Sequence, residues 1–131
     1  MNKRIEQMIP LAFSAVEESQ GLVENGAISK QYNGYIASFG ASVVLSGMLM
    51  SLIYNHRNST DQHRVRSEKD KSPLFRALFQ VVKQYRNDTA SQSGDLLAYY
   101  QACTDKRLLK SQIMDAAVAI KLVVRTFKLV D

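Results

Sequence analysis

The chain has 131 residues and a mass of 14.7 kDa, with 46% hydrophobic and 22% charged residues. That balance suits one domain over 1–131 and argues against a wholly disordered chain. A formal net charge of +5 and a pI near 9.4 turn attention to anionic partners. The single cysteine, Cys103, excludes an internal disulfide and suits a reducing compartment.

From the N-terminus, "MNKRIEQMIPLAF" lacks the uninterrupted apolar run of a secretion signal, because Glu6 and Gln7 intervene. The expected location is the cytoplasm. The spacing predicts a first helix from about Lys3 to Val23, with Ile9, Phe13, Val16 and Gln20 on one face. Pro10 either kinks it or starts it. "ENGA" at 24–27 reads as its stop, since Gly26 accepts the left-handed conformation of a helix end.

Ser29 is placed to cap the next helix. It leads into Gln31–Asn55, a stretch without a charged side chain. The dense apolar part, Val43–Tyr54, has the length of a buried helix and falls short of the ~20 residues a membrane span needs. A mean hydropathy of −0.18 agrees. Gly40 marks the expected bend, near Phe39–Ser42, between two core helices. Ser38, Ser42 and Ser46 form a small-residue stripe expected to pack inside the domain, with a partner subunit as the alternative.

"HRNSTDQHRVRSEKDKS" reads as a long basic loop near residues 56–72. Ser72 and Pro73 then give a cap followed by proline, a helix start. Its apolar stripe is Leu74, Phe75, Leu78, Phe79, Val82 and Tyr85. A short helix around Leu96–Ala102 follows, and Thr104 is the expected cap of the last helix, whose apolar face is Leu109, Ile113, Ala116, Ile120, Val123 and Phe127. No run alternates long enough to suggest a strand. The fold class expected is therefore all-α, a compact bundle of about five to six helices.

Cations concentrate in two zones. Residues 56–86 hold Arg57, Arg64, Arg66, Lys69, Lys71, Arg76, Lys83 and Arg86. Residues 106–128 hold Lys106, Arg107, Lys110, Lys121, Arg125 and Lys128 against Asp115 alone. On a helix, Arg107, Lys110, Lys121, Arg125 and Lys128 fall within an arc of about 60° and extend about 30 Å. Arg76, Lys83 and Arg86 offer a second row, and Arg64 and Arg66 lie on the loop. Such zones fit phosphate neutralisation along RNA, with little base reading. Tyr99 and Tyr100 are the nearest aromatic candidates.

Catalytic patterns are sparse. His56, Asp61, His63 and Cys103 lack the spacing of a zinc site, and no phosphate loop or nucleophile elbow is present. No metal, cofactor or small-molecule substrate is expected. "RNSTDQH" resembles the R-N-x4-H motif of HEPN ribonucleases. In that reading His63 would handle protons and Arg57 would steady the phosphate, without a metal.

Taken together, "ISKQYNGYIASFGASVVLSGMLMSLIYNH", the basic loop and "DAAVAIKLVVRTFKLVD" resemble the small helical subunit of type III-B CRISPR–Cas effector complexes. The matching segments are Tyr32–Tyr35, Ser46-Gly47-Met48 and Ala116–Lys128. This chain departs from that pattern in having Ser46 for the usual Asn, Met48 for Leu, and no Trp in the last helix. The resemblance implies a non-catalytic building block that stacks head to tail along an RNA-guided antiviral complex. Its partners would be other subunits, copies of itself, and guide and target RNA, with cleavage performed by a different subunit.

Overall fold

The first helix, α1 (Lys3–Glu18), begins where the Asn2 side chain accepts the Arg4 N–H at 2.7 Å. It runs through Pro10 instead of starting there. It ends at Glu18, five residues earlier than expected, and is followed by Ser19, whose hydroxyl donates to the Pro73 carbonyl at 2.6 Å in a buried contact. The buried face is Ile5, Met8, Ala12, Ala15 and Val16. Phe13, expected inside, is 37% exposed, and Gln20 lies beyond the helix at the surface. The expected face is rotated because alanine gives little hydrophobic signal in a sequence, whereas here Ala12 and Ala15 are fully buried.

The computed structural model describes residues 2–57 and 69–131. After α1 comes a hairpin, β1 (Val23–Glu24) and β2 (Ala27–Ser29). Asn25 and Gly26, with φ of 55° and 75°, form its two-residue turn. This corrects the reading of "ENGA" as a helix stop. An Asn-Gly pair with both residues left-handed matches the twist of a tight hairpin. A C-terminal strand, β3 (Lys128–Val130), pairs in parallel with β2, giving the order β1-β2-β3. These strands are two or three residues long, too short for a period-2 pattern to show. The fold is nonetheless predominantly helical, with six helices among the described residues.

Ser29 caps α2 (Lys30–Ser46), accepting the Gln31 N–H at 3.2 Å, as expected. The helix passes straight through Gly40 and breaks at Gly47, where φ is 87° and ψ 164°. From there α3 (Met48–Arg57) folds back, and the hydroxyls of Ser42 and Ser51 meet at 2.6 Å. Ser42 is the stripe residue that packs, against α3; Ser38 and Ser46 are exposed. Nor is the stretch wholly a core helix pair. Tyr32, Ile36, Phe39, Val43, Met48 and Leu52 are buried, but Val44 and Leu45 face outward.

Of the basic loop expected over 56–72, His56 and Arg57 belong to α3, and residues 58–68 lie outside the described residues. Its last part, before α4 (Ser72–Tyr85), is pinned. The Lys69 N–H donates to Gln31 at 2.8 Å, and the Tyr35 and Tyr32 hydroxyls donate to the Lys69 and Asp70 carbonyls. Ser72 is the first helical residue and not the cap; the Asp70 carboxylate accepts its N–H at 2.9 Å. The stripe of α4 is as expected, with Leu74, Leu78 and Val82 buried and Phe75, Phe79 and Tyr85 half-buried. Helix α5 (Leu96–Ala102) has the expected bounds.

Helix α6 (Lys106–Val124) is capped by Asp105, which accepts the Leu108 N–H at 3.1 Å, one residue after the expected Thr104. Leu109, Ile113, Ala116, Ile120 and Val123 are buried as expected, and Phe127 lies half-buried past the helix end. Helix α6 touches α1, α2 and α4, and α3 rests on α5. The core joins all six helices into one cluster.

The two glycines of the uncharged stretch should behave oppositely. At Gly47 the backbone occupies a region almost reserved for glycine, so Gly47→Ala should destabilise by about 1–3 kcal/mol. At Gly40, helical and with nothing within 4 Å of an added Cβ, Gly40→Ala should stabilise by up to about 1 kcal/mol. Urea denaturation of the two variants checks both signs.

Candidate nucleic-acid interface

Two of the expected cations, Arg76 and Lys83, sit seven residues apart on the solvent side of α4. They share a shallow groove of ≈ 660 Å³ with Leu11 of α1, Phe79, Gln84 and the turn at residues 87–89. The Lys83 ammonium stands 5.3 Å over the Phe79 ring. One Arg76 Nη1 hydrogen donates to the Gln20 carbonyl at 3.2 Å, which steadies the guanidinium beside the groove. Gln80 donates to Glu18 at 2.7 Å, so α1 forms the groove's other bank.

Arg86, expected to extend this row, points inward instead. Its guanidinium donates to the Tyr99 hydroxyl at 3.0 Å and to the Gln112 carbonyl oxygen, and approaches the Cys103 sulfur at 3.9 Å. The Tyr99 hydroxyl in turn donates to Asp88 at 2.7 Å. A helical position i+3 from Lys83 gave no sign of this, because the partners come from α5 and α6. Asn87, with φ 53°, turns the chain so that the Asp88 N–H donates to the Lys83 carbonyl at 3.0 Å, a helix-ending motif that aims the carboxylate at Tyr99. The Tyr99 hydrogen bond, joined by the backbone N–H groups of Ser91 and Ala90 and by Lys83, holds Asp88 below the ordinary carboxylate pKa. Burial, with the bond to Asp88, pushes Tyr99 up. Both Tyr99 and Tyr100 are buried, which removes them as stacking platforms.

The α6 stripe is present but divided. Arg107 and Lys110 are exposed near its start; Lys121, half-buried, and Arg125, exposed, lie near its end. Between them the same side carries Met114 and the exposed Val118, so the pairs are separated by eleven residues, about 16 Å of helix. Lys128 leaves the stripe: it belongs to β3, because the helix ends at Val124 and the chain turns to meet β2. Asp115 is held on another flank by Arg4, at 3.1 Å. Arg125 donates to Asn33 of α2 at 3.4 Å, so this stripe borders α2, whereas the α4 pair borders α1. The two rows do not merge.

Arg64, Arg66 and His63 lie outside the described residues, and Arg57 ends α3. Among the described residues no three His, Cys, Asp or Glu gather as metal ligands, and no helix is long and apolar enough to cross a membrane.

Two features were not foreseen. A cleft of ≈ 320 Å³ opens between α3, α4 and α5, with apolar walls from Leu52, Phe75, Phe79, Leu96 and Leu97. At its rim His56 Nδ1 stands 3.9 Å from Asp95, the cap of α5. Second, apolar side chains crowd the Gly47 corner on the outside: Val44 is 78%, Leu45 85%, Met50 57% and Tyr54 61% exposed. The available signal was that α2 and α3 are apolar on more than one face, more than one buried side requires.

Compared with protein-family models, curated proteins and solved structures, the chain matches none.

The Asp88 network yields a pH signature. A carboxylate with a depressed folded-state pKa adds stability above its unfolded value, and that stability is lost as pH falls through the folded one. Asp88→Asn should therefore melt below the parent at neutral pH, with the gap closing under acid conditions below the ordinary 3.8. Melting curves across that range test it.

Proposed function

We propose that this chain is a non-catalytic helical subunit of a ribonucleoprotein, and specifically the small subunit of a cytoplasmic, RNA-guided type III-B CRISPR effector complex. The observation that carries the subunit reading is the apolar corner at Gly47. A solvent-facing helix turn normally replaces residues such as Leu45 and Met50 by polar ones, and large exposed apolar groups mark surfaces that partners cover. The stacked copies and neighbouring subunits implied by the sequence resemblance would supply that cover.

The cationic flanks support the RNA half of the reading. Arg107, Lys110, Lys121 and Arg125 on one flank, and Arg76 and Lys83 on another, leave room for two separate phosphate contacts instead of one long track. Such contacts neutralise a backbone without reading sequence. With Tyr99 and Tyr100 inside, stacking on them contributes nothing. The chemistry of target cleavage then belongs to another subunit.

Two measurements test the proposal. Leu45→Glu combined with Met50→Glu should leave the melting temperature of the isolated chain within the range of surface changes, about ±0.5 kcal/mol in stability, yet abolish co-purification with the other subunits. Retention in the complex would overturn the covered-corner reading. For RNA, affinity of the isolated chain should fall steeply from about 50 to about 200 mM salt. Replacing Lys121 and Arg125 by Glu should flatten the log–log slope by roughly 0.7 for each phosphate no longer neutralised. An unchanged slope, in these variants and in Arg76→Glu with Lys83→Glu, would remove RNA from the proposal. Cleavage of RNA by the purified chain, abolished by His63→Ala, would replace it with the HEPN-type ribonuclease.

A further inference from the structure

The groove on α4 and the cleft beside α5 open separately, but they share two residues. Arg76 and Phe79 line both. A single strand whose phosphates follow Lys83 and then Arg76 is therefore delivered to the mouth of a half-enclosed apolar cleft. We propose that this cleft is a subsite for one unpaired base of single-stranded RNA, seated against Phe75 and Phe79 while its phosphate is held by Arg76. The inference rests on the RNA reading above and adds the location and the chemical class of what is bound.

Size, surface and charge agree. At ≈ 320 Å³ the cleft lies at the low end of the about 300–1,000 Å³ typical of small-ligand sites, a scale that suits one ring system. Its walls are aromatic and aliphatic, and every base offers them a π-face whatever its sequence, so occupancy needs no hydrogen-bond code. The carboxylates nearby are already engaged. Asp95 accepts the Ala98 N–H at 2.8 Å with one oxygen and faces His56 with the other. Asp88 is tied to Tyr99. Glu18, on the α1 bank, accepts from Gln80 at 2.7 Å. The cations that line the groove, Arg76 and Lys83, favour a polyanion over an apolar peptide segment.

Gly94 provides a clean block. It lines the cleft, and a Cβ added there would meet nothing within 4 Å, so Gly94→Leu adds apolar bulk to the cleft's lining without forcing the backbone to shift. The probe is a uridine-rich single-stranded RNA of about twelve nucleotides carrying one 2-aminopurine, moved along the strand in a set of otherwise identical oligomers. With the full chain at saturation, at least one position should show quenched fluorescence. Gly94→Leu should lose that quench while keeping its affinity for the unlabelled strand. A 4-thiouridine at the same position should crosslink to the peptide that spans Phe75 and Phe79, a readout that depends on no variant. Strand binding without a quench, a quench that survives Gly94→Leu, or a crosslink mapped elsewhere would overturn the subsite and leave the RNA reading standing. No strand binding at all would remove both.

Discussion

Everything in this fold hangs on the burial of α6. Leu109, Ile113, Ala116, Ala119, Ile120 and Val123 are at most 1% exposed, a buried side of about a third of the helix's circumference. Three other helices meet it, and fully buried alanines lie on three of the four: Ala116 and Ala119 on α6, Ala12 and Ala15 on α1, and Ala77 on α4. Small side chains let helix axes approach at the short end of the usual 8–10 Å range. Fully buried alanines leave little tolerance for added volume. The cations of α6 are confined to the remaining surface, so the position of the basic stripe is a by-product of how the core is filled.

Polar contacts do the finer positioning. The Arg86 guanidinium joins α4, α5 and α6 through Tyr99, Gln112 and Cys103. Its charge is satisfied by a hydroxyl, an amide and, through Tyr99, the Asp88 carboxylate, which makes a partly buried arginine tolerable. That network ties the C-terminal end of α4 to α5 and α6. A second set works at the other end of α4. Ser19 bonds to the Pro73 carbonyl, Asp70 takes the Ser72 N–H, and Lys71 packs its ammonium 4.8 Å over Tyr35 and 3.3 Å from Asn55. Helices α1, α2, α3 and α4 thus share one junction.

How far the candidate interface was legible depends on what each residue needs. Arg76, Lys83, Arg107 and Lys110 are polar positions opposite an apolar stripe, and a period of 3.6 places them in solvent without further information. Arg86 obeys the same period, yet its place is decided by Tyr99 and Gln112, which are distant in the chain. Lys128 shows the converse: a pattern that continues a helix in sequence is ended by pairing with β2, because Ala27–Ser29 offers an open edge. The walls of the cleft come from three helices, and no local pattern announces such a space.

The sequence alone determined the helical class, the capped start at Ser29, the proline-marked start at Ser72, the bounds of α5 and the apolar face of α6, all of which follow from spacing and end signals within a few turns. The tertiary structure decided the rest. It moved the break from Gly40 to Gly47, since either glycine permits a turn, and the turn at Gly47 is the one that brings Ser51 of α3 against Ser42. It turned "ENGA" from a helix stop into a hairpin, since Asn-Gly permits both and the partner strand β3 lies about a hundred residues away along the chain. It also divided the uncharged stretch into a buried side and an exposed one, because hydrophobicity states that a residue prefers cover, and only the packing of the other helices determines whether this chain provides it.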